Sequence, residues 1–321
     1  MMILLYSLGV LLGLYGIVKG ADWLVDGSSA LARKFRITEV VIGLTIVAFG
    51  TSMPEFVVSL FASLNGSGDM SVGNVMGSNI FNSLVILGAS AFVAAVPVGR
   101  RALYVDIPWS ILAAVACWFV CFDMPLWPKP YNELTRMGAA IFLGVFAIFM
   151  CYNFWLAKRS RRAMEVVESN IPNRTIVLQI VGGFVALVVG GRIMVNSASE
   201  VARLLHVSEA VIALTIVAGG TSAPELVTSI IAASKGRLDM AIGNAIGSNV
   251  FNVFFVLGLA GLISPMKIAD INSIDLMMLV GGPILLWLMA FFFRRINRLM
   301  GAILVLVYLV YLVHLVRAAI A

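Results

Sequence analysis

The stretch "EVVIGLTIVAFGTSMPEFVVSLFASL" (residues 39–64) is long and apolar enough to cross a bilayer, yet it carries a proline and a carboxylate in "GTSMPE" at 50–55. A carboxylate deep in hydrocarbon costs about 2.5–3.5 kcal/mol on insertion scales. The oddity is repeated: "EAVIALTIVAGGTSAPELVTSIIAAS" (209–234) holds "GTSAPE" at 220–225. Displaced by 170 residues, 38–88 aligns on 208–258 without a gap, and 28 of the 51 positions are identical. Chance would match only a few, so the chain contains an internal duplication.

The rest of the composition sets the surroundings. The 321 residues are 61% hydrophobic and 12% charged, far from the balance of a soluble domain. Apolar runs of about 20 residues recur from end to end, which predicts an all-α integral membrane protein. The runs are continuous, so a barrel's alternation is excluded and no segment reads as a strand. Ten spans fit, at roughly 3–31, 38–64, 70–96, 103–121, 134–156, 175–204, 208–233, 239–264, 273–293 and 298–317. The first lacks a basic leader and a small-residue cleavage site, and is read as a transmembrane helix. Cys117, Cys121 and Cys151 lie in apolar segments without metal spacing and read as inert thiols.

Orientation follows from lysine and arginine. The connections after spans one, three, five, seven and nine hold 15 of the 22 basic residues; the opposite connections hold 5. Both termini are therefore expected on the non-cytoplasmic side of a cell inner membrane. This bias also accounts for the net charge of +6 without a nucleic-acid partner. The expected organisation is a first five-helix repeat at 1–157, a basic cytoplasmic linker at 158–174 and a second five-helix repeat at 175–321. Five is odd, so the second repeat enters the membrane inverted. Inverted repeats with a site at their interface near the midplane are a transporter architecture.

The repeated motifs bring oxygen donors to that interface. Two equivalent glutamates, Glu55 and Glu225, repel if they face each other, unless a proton or cation lies between them. Thr51 and Glu55 are spaced i,i+4, as are Thr221 and Glu225, with Ser52 and Ser222 beside them. Pro54 and Pro224 are expected to free the carbonyls of Gly50 and Gly220, or simply to kink a packed helix. The following spans read "GNVMGSNIFN" (73–82) and "GNAIGSNVFN" (243–252). Asn74, Ser78 and Asn82 form one polar stripe, and Asn244, Ser248 and Asn252 copy it. Gly73 with Gly77, and Gly243 with Gly247, are expected to let these helices pack closely. Carboxylate, hydroxyl, amide and carbonyl oxygens suit hard cations such as calcium, sodium or magnesium. Two carboxylates balance one divalent or two monovalent cations, which is an electrostatic basis for exchange.

These motifs resemble the two α-repeats of the calcium/cation antiporter superfamily, the sodium/calcium exchangers and their bacterial relatives. Close resemblance covers about a third of the chain. It implies ten helices, a central cation cluster, and spans one and six sliding across the rest to alternate access. It implies Thr51, Ser52, Glu55, Ser78 and Asn82 as ion ligands, with Thr221, Ser222, Glu225, Ser248 and Asn252 from the second half. The backbone carbonyls of Ala48 and Ala218 are implied for sodium. Asn252 stands where potassium-dependent members carry aspartate, which argues against potassium dependence. The implied activity is exchange of Ca2+ for Na+, with no cofactor beyond the transported ions and no obligate protein partner. Ca2+/H+ or another divalent-cation antiport is the nearest alternative; a cation channel and a membrane metalloenzyme are others.

Outside the motifs, Asp22 and Arg192 also stand 170 apart. They are expected to pair or to sit at the two mouths of the sliding helices, unless each only reaches to water. Asp106 and Asp275 read as charges at helix starts.

Overall fold

The computed structural model describes residues 2–122, 132–163, 171–205, 218–269 and 271–320. Its helices are α1 (Met2–Phe35), α2 (Glu39–Thr51), α3 (Met53–Leu64), α4 (Gly68–Val93), α5 (Ala102–Cys121) and α6 (Arg136–Ala163). After them come α7 (Asn173–Leu204), α8 (Ala218–Thr221), α9 (Ala223–Ser234), α10 (Leu238–Ile263), α11 (Ser273–Phe293) and α12 (Arg298–Ile320). Among the described residues, eight helices are long and apolar enough to cross a membrane. A ninth is formed if α2 and α3, bent by 49°, count as one span. Residues 208–217, the first part of the seventh expected span, lie outside the described residues, as does 164–170 of the basic linker.

The breaks in the repeated motifs have a local cause. Ser52 separates α2 from α3 at φ −83° and ψ 10°, and Pro54 falls in the first turn of α3. A first turn needs no N–H from that residue, so proline starts the second half-helix instead of kinking a continuous one. Ser222 and Pro224 repeat this between α8 and α9, with φ −89° and ψ 5° at Ser222. Both half-helices end alike: Gly66 and Gly236 take φ +74° and +71°. In each turn the next N–H group bonds back to the helix, Ser67 to Ala62 O at 2.9 Å and Arg237 to Ala232 O at 2.7 Å. Only glycine adopts that conformation without strain, and the bonds close the helix's last carbonyls.

Helices α1 and α7 pack antiparallel, backbone against backbone. A Cβ added at Gly13 would meet Met194 N at 2.5 Å, and one at Gly20 would meet Gly183 O at 2.8 Å. Additions at Gly183 and Gly190 would meet Gly20 O and Gly13 O, each at 2.8 Å. Small residues let two membrane helices approach until dispersion contacts replace lipid. The buried apolar side chains form two groups. One joins Ile17, Leu24, Leu187 and Met240; the larger gathers residues of α4, α5, α10, α11 and α12.

Three features depart from the sequence reading. Among the described residues, two short antiparallel ribbons pair Val96–Pro97 with Arg295–Ile296 and Glu133–Leu134 with Met266–Lys267. Each joins connections that the charge count places on one side. Among the described residues, four segments inside the spans are π-helical: Gly43–Val47, Asn82–Ile86, Ala102–Asp106 and Phe251–Leu257. Asp275 is indeed a helix-start charge, closing a capping box with Asn272. Asp106 instead is buried, 3.3 Å from the Arg101 guanidinium.

Candidate cation site

Each half-helix break presents a serine and a glutamate to the opposite motif. Ser52 Oγ donates to Glu225 Oε1 at 2.9 Å, and Ser222 Oγ donates to Glu55 Oε1 at 3.0 Å. Ser78 Oγ lies 3.3 Å from the same Glu55 oxygen and 3.1 Å from Ser222 Oγ. Ser52, Glu55, Ser222 and Glu225 are all 0% exposed. Each glutamate also sits in the first turn of a 12-residue half-helix, whose N-terminal partial positive charge favours a carboxylate.

The asparagines hold these half-helices in place. Asn74 Nδ2 donates to Ser59 Oγ at 2.9 Å and Glu55 O at 3.3 Å; Asn244 Nδ2 donates to Ser229 Oγ at 2.9 Å and Glu225 O at 3.2 Å. Thr51 Oγ1 bonds Asn244 Oδ1 at 3.1 Å, and so links the first break to the second motif. The Ala48 carbonyl accepts from Ser52 N at 3.0 Å and lies 3.4 Å from Thr51 Oγ1. Asn82, Ser248 and Asn252 are buried on α4 and α10. Thr221 is buried in α8, at the C-terminal end of the helix that Ala218 begins.

A set of buried oxygens is left over. Glu55 Oε2, Glu225 Oε2, Asn82 Oδ1, Ser248 Oγ and Asn252 Oδ1 have no hydrogen-bond partner among the described residues. Buried polar atoms are almost always paired, so an unpartnered carboxylate oxygen on each glutamate calls for a cation or a proton. Among the described residues no group of three or more His, Cys, Asp or Glu side chains gathers anywhere. Two carboxylates with neutral oxygens are the donor set of a hard cation, not of zinc or copper.

Sequence spacing missed two members of the network. Asn79 Nδ2 donates to Asn249 O at 3.1 Å and accepts from Asn252 Nδ2 at 3.2 Å; Asn249 Nδ2 reaches Ser83 and Ser110, each at 2.9 Å. Both lie off the every-fourth stripe. Their signal was the repeated "GSN", in which the asparagine is duplicated along with the serine. The close packing expected of Gly243 and Gly247 is present. Their added Cβ atoms would meet Val40 O at 2.6 Å and Leu44 Cα at 2.7 Å. The equivalent neighbours of Gly73 and Gly77, at 210–214, lie outside the described residues.

A cavity of about 960 Å³ lies between α3 and α7, and among the candidate ligands described Thr221 lines it. It is lined by Asn65 and Ser67 beyond the end of α3, by Arg192 and Asn196 of α7, and by Thr221 and Pro224 at the second break. The opposite end of the molecule is held by ion pairs. Lys235 Nζ lies 2.6 Å from both Asp22 Oδ1 and Asp26 Oδ1, and Arg237 lies 3.1 Å from Glu39. Partial burial works against the Lys235 charge, but its hydrogen bonds and attraction to the two aspartates outweigh this and raise its pKa. Asp22 and Arg192 do not pair. The register of α1 on α7 sets them about ten residues apart along the helices, roughly 15 Å at 1.5 Å per residue.

Comparison with known proteins agrees with this geometry. The family model described as sodium/calcium exchanger protein matches residues 5–155 and 175–317. The chain is 36% identical to the inner membrane protein YrbG of Escherichia coli over 270 residues, 81% of this chain and 80% of YrbG. It is 32% identical to the sodium/calcium exchanger MaX1 of Methanosarcina acetivorans over 307 residues, covering 84% of this chain and 87% of MaX1. A structure of the sodium-calcium exchanger NCX_Mj, soaked with zero Na+ and Ca2+, superposes with a TM-score of 0.81 and 30% identity, over 98% of this chain and 99% of that one.

Proposed function

Because the chain belongs to the sodium/calcium exchanger family, we propose that it exchanges Ca2+ for Na+ across the membrane by alternating access. The observation that carries this reading is the pair of buried glutamates, each bonded by the other motif's serine and each with a second oxygen unpartnered. One Ca2+ or two Na+ neutralise two carboxylates, so the two cargoes compete for one set of ligands. Thr51, Ser52, Glu55, Ser78 and Asn82, with Thr221, Ser222, Glu225, Ser248 and Asn252, supply side-chain oxygens. The Ala48 and Ala218 carbonyls add ligands for Na+.

The architecture in this reading is ten spans in two inverted five-helix repeats, 1–157 and 175–321, with both termini outside an inner membrane. The ribbons support the sidedness, since each ties connections of like assignment. The cavity then opens to the outside, and the Lys235–Asp22–Asp26 cluster closes the cytoplasmic face. The α1–α7 pair is the moving unit, because its glycine seam binds the two helices more closely to each other than to the rest.

The test is radioactive calcium uptake into sodium-loaded vesicles. Uptake should need the outward sodium gradient and saturate with calcium. Uptake driven only by a proton gradient would overturn the sodium assignment, and non-saturating flux without coupling would indicate a channel. A second measurement addresses the moving unit. Lys235→Gln should loosen the cytoplasmic face and shift the resting population away from the cavity-open state. Ion pairs this exposed are worth about 1 kcal/mol or less, so the shift is up to about five-fold. It is read as slower labelling, from outside, of a cysteine placed at Asn196 in a Cys151→Ser background.

A further inference from the structure

We propose that Arg192 sets the ion preference of the outer vestibule, its fixed charge holding back divalent cations more strongly than monovalent ones. The inference rests on the exchanger reading above. Helix α7 passes directly over the second motif. A Cβ added at Gly191 would lie 3.8 Å from Pro224 Cγ, and one at Gly220 would meet Val195 Cγ2 at 2.2 Å. Arg192 lies between these two contacts, so it is level with the residues just before Glu225. Its side chain is exposed and lines the same cavity as Thr221 and Pro224. The other charged residues of the cavity wall, Glu200 and Arg203, are bonded to each other. Among the described residues, Arg192 therefore supplies the net charge of that wall.

A fixed charge acts on a passing ion in proportion to the ion's own charge. The Boltzmann factor for Ca2+ is the square of that for Na+. If Arg192 lowers Na+ occupancy about three-fold, a modest effect for a charge lining a cleft, it lowers Ca2+ occupancy about nine-fold. The equivalent position on α1 is the acidic Asp22, which the ion pair with Lys235 places toward the opposite face. Asp22 is thus ion-paired at a closed end, whereas Arg192 lines the open cavity. A charge in a vestibule leaves the coupling ratio alone and changes the apparent affinity on its own side.

The experiment measures external KM for Ca2+ and for Na+ in reconstituted protein of known orientation. Arg192→Gln should lower the external KM for Ca2+ about nine-fold and that for Na+ about three-fold, with coupling stoichiometry unchanged. Arg192→Lys should keep the wild-type values. Equal changes for the two ions, or none, would overturn the role of Arg192 while leaving the exchanger reading intact. A wild type that does not exchange Na+ for Ca2+ would overturn both. If Arg192→Gln does not assemble, Arg192→His is compared with itself above and below the ordinary histidine pKa of about 6.5, with wild type as the pH control. The Ca2+ KM should rise more steeply than the Na+ KM as the imidazole gains charge. Parallel pH profiles for the two ions overturn the proposal.

Discussion

Replacing Glu225 with glutamine is expected to abolish calcium exchange, lowering uptake by about a hundred-fold or more, since calcium affinity follows the charge count of its ligands. Glu55→Gln should do the same. The change is nearly isosteric, and the amide oxygen can still accept the hydrogen bond that Ser52 now gives Glu225 Oε1. What disappears is one of the two glutamate charges in the site. The protein itself should survive. Two buried carboxylates in close quarters are a cost to the fold, and neutral replacements of buried charges are often neutral or stabilising. The variants should melt at or above the wild-type temperature in detergent without added ions, and lose the stabilisation that calcium gives the wild type. Retained uptake in either variant would remove that glutamate from the site.

The second large effect is structural. Gly13→Val should destabilise the protein by roughly 3 kcal/mol, toward the upper end of what overpacking costs. The first added carbon would already stand 2.5 Å from Met194 N and 2.7 Å from Gly190 O. These are backbone atoms, with no rotamer to yield. Helices α1 and α7 would have to part along their seam, so lower yield, a depressed melting temperature and lost transport are expected together. Gly281→Ala is the control, because nothing among the described residues lies within 4 Å of its added Cβ. A Gly13→Val protein that melts like wild type would show that the seam adjusts freely.

The duplicated motifs made the site legible in the sequence, but its wiring was not. The i,i+4 spacing of Thr51 and Glu55 presumes one continuous helix, and the chain breaks at Ser52 between them. Thr51 consequently bonds Asn244, while Glu55 takes its hydrogen bonds from Ser78 and Ser222. Ser52, read only as a neighbour of the glutamate in its own motif, bonds the glutamate of the other. Such crossed pairs join residues 167 and 173 positions apart, and no local periodicity reports them. Asn79 and Asn249 escaped because a stripe drawn every four residues passes beside them. The prolines were expected to free the Gly50 and Gly220 carbonyls or to kink a packed helix; each instead stands in the first turn of a second half-helix. Whether a proline kinks a helix or begins one depends on where the previous helix stops. Asp22 finds Lys235 because α1 runs past the end of α9, a matter of packing alone.

Two of the π-helical segments carry a record of descent. A π turn bonds i to i+5, so it houses one residue more than the α turn it replaces and is how a helix absorbs a single insertion. Asn82–Ile86 and Phe251–Leu257 fall at corresponding positions, and the gap-free offset of 170 runs straight through both. The extra residue was thus already present in the ancestral half-chain when it was copied. Both descendants have kept it since, although "NSLVI" at 82–86 and "NVFFV" at 252–256 agree at only their first residue. Genetically, these turns should accept substitution but not deletion. Losing one residue there would turn everything beyond it by about 100° around the helix axis.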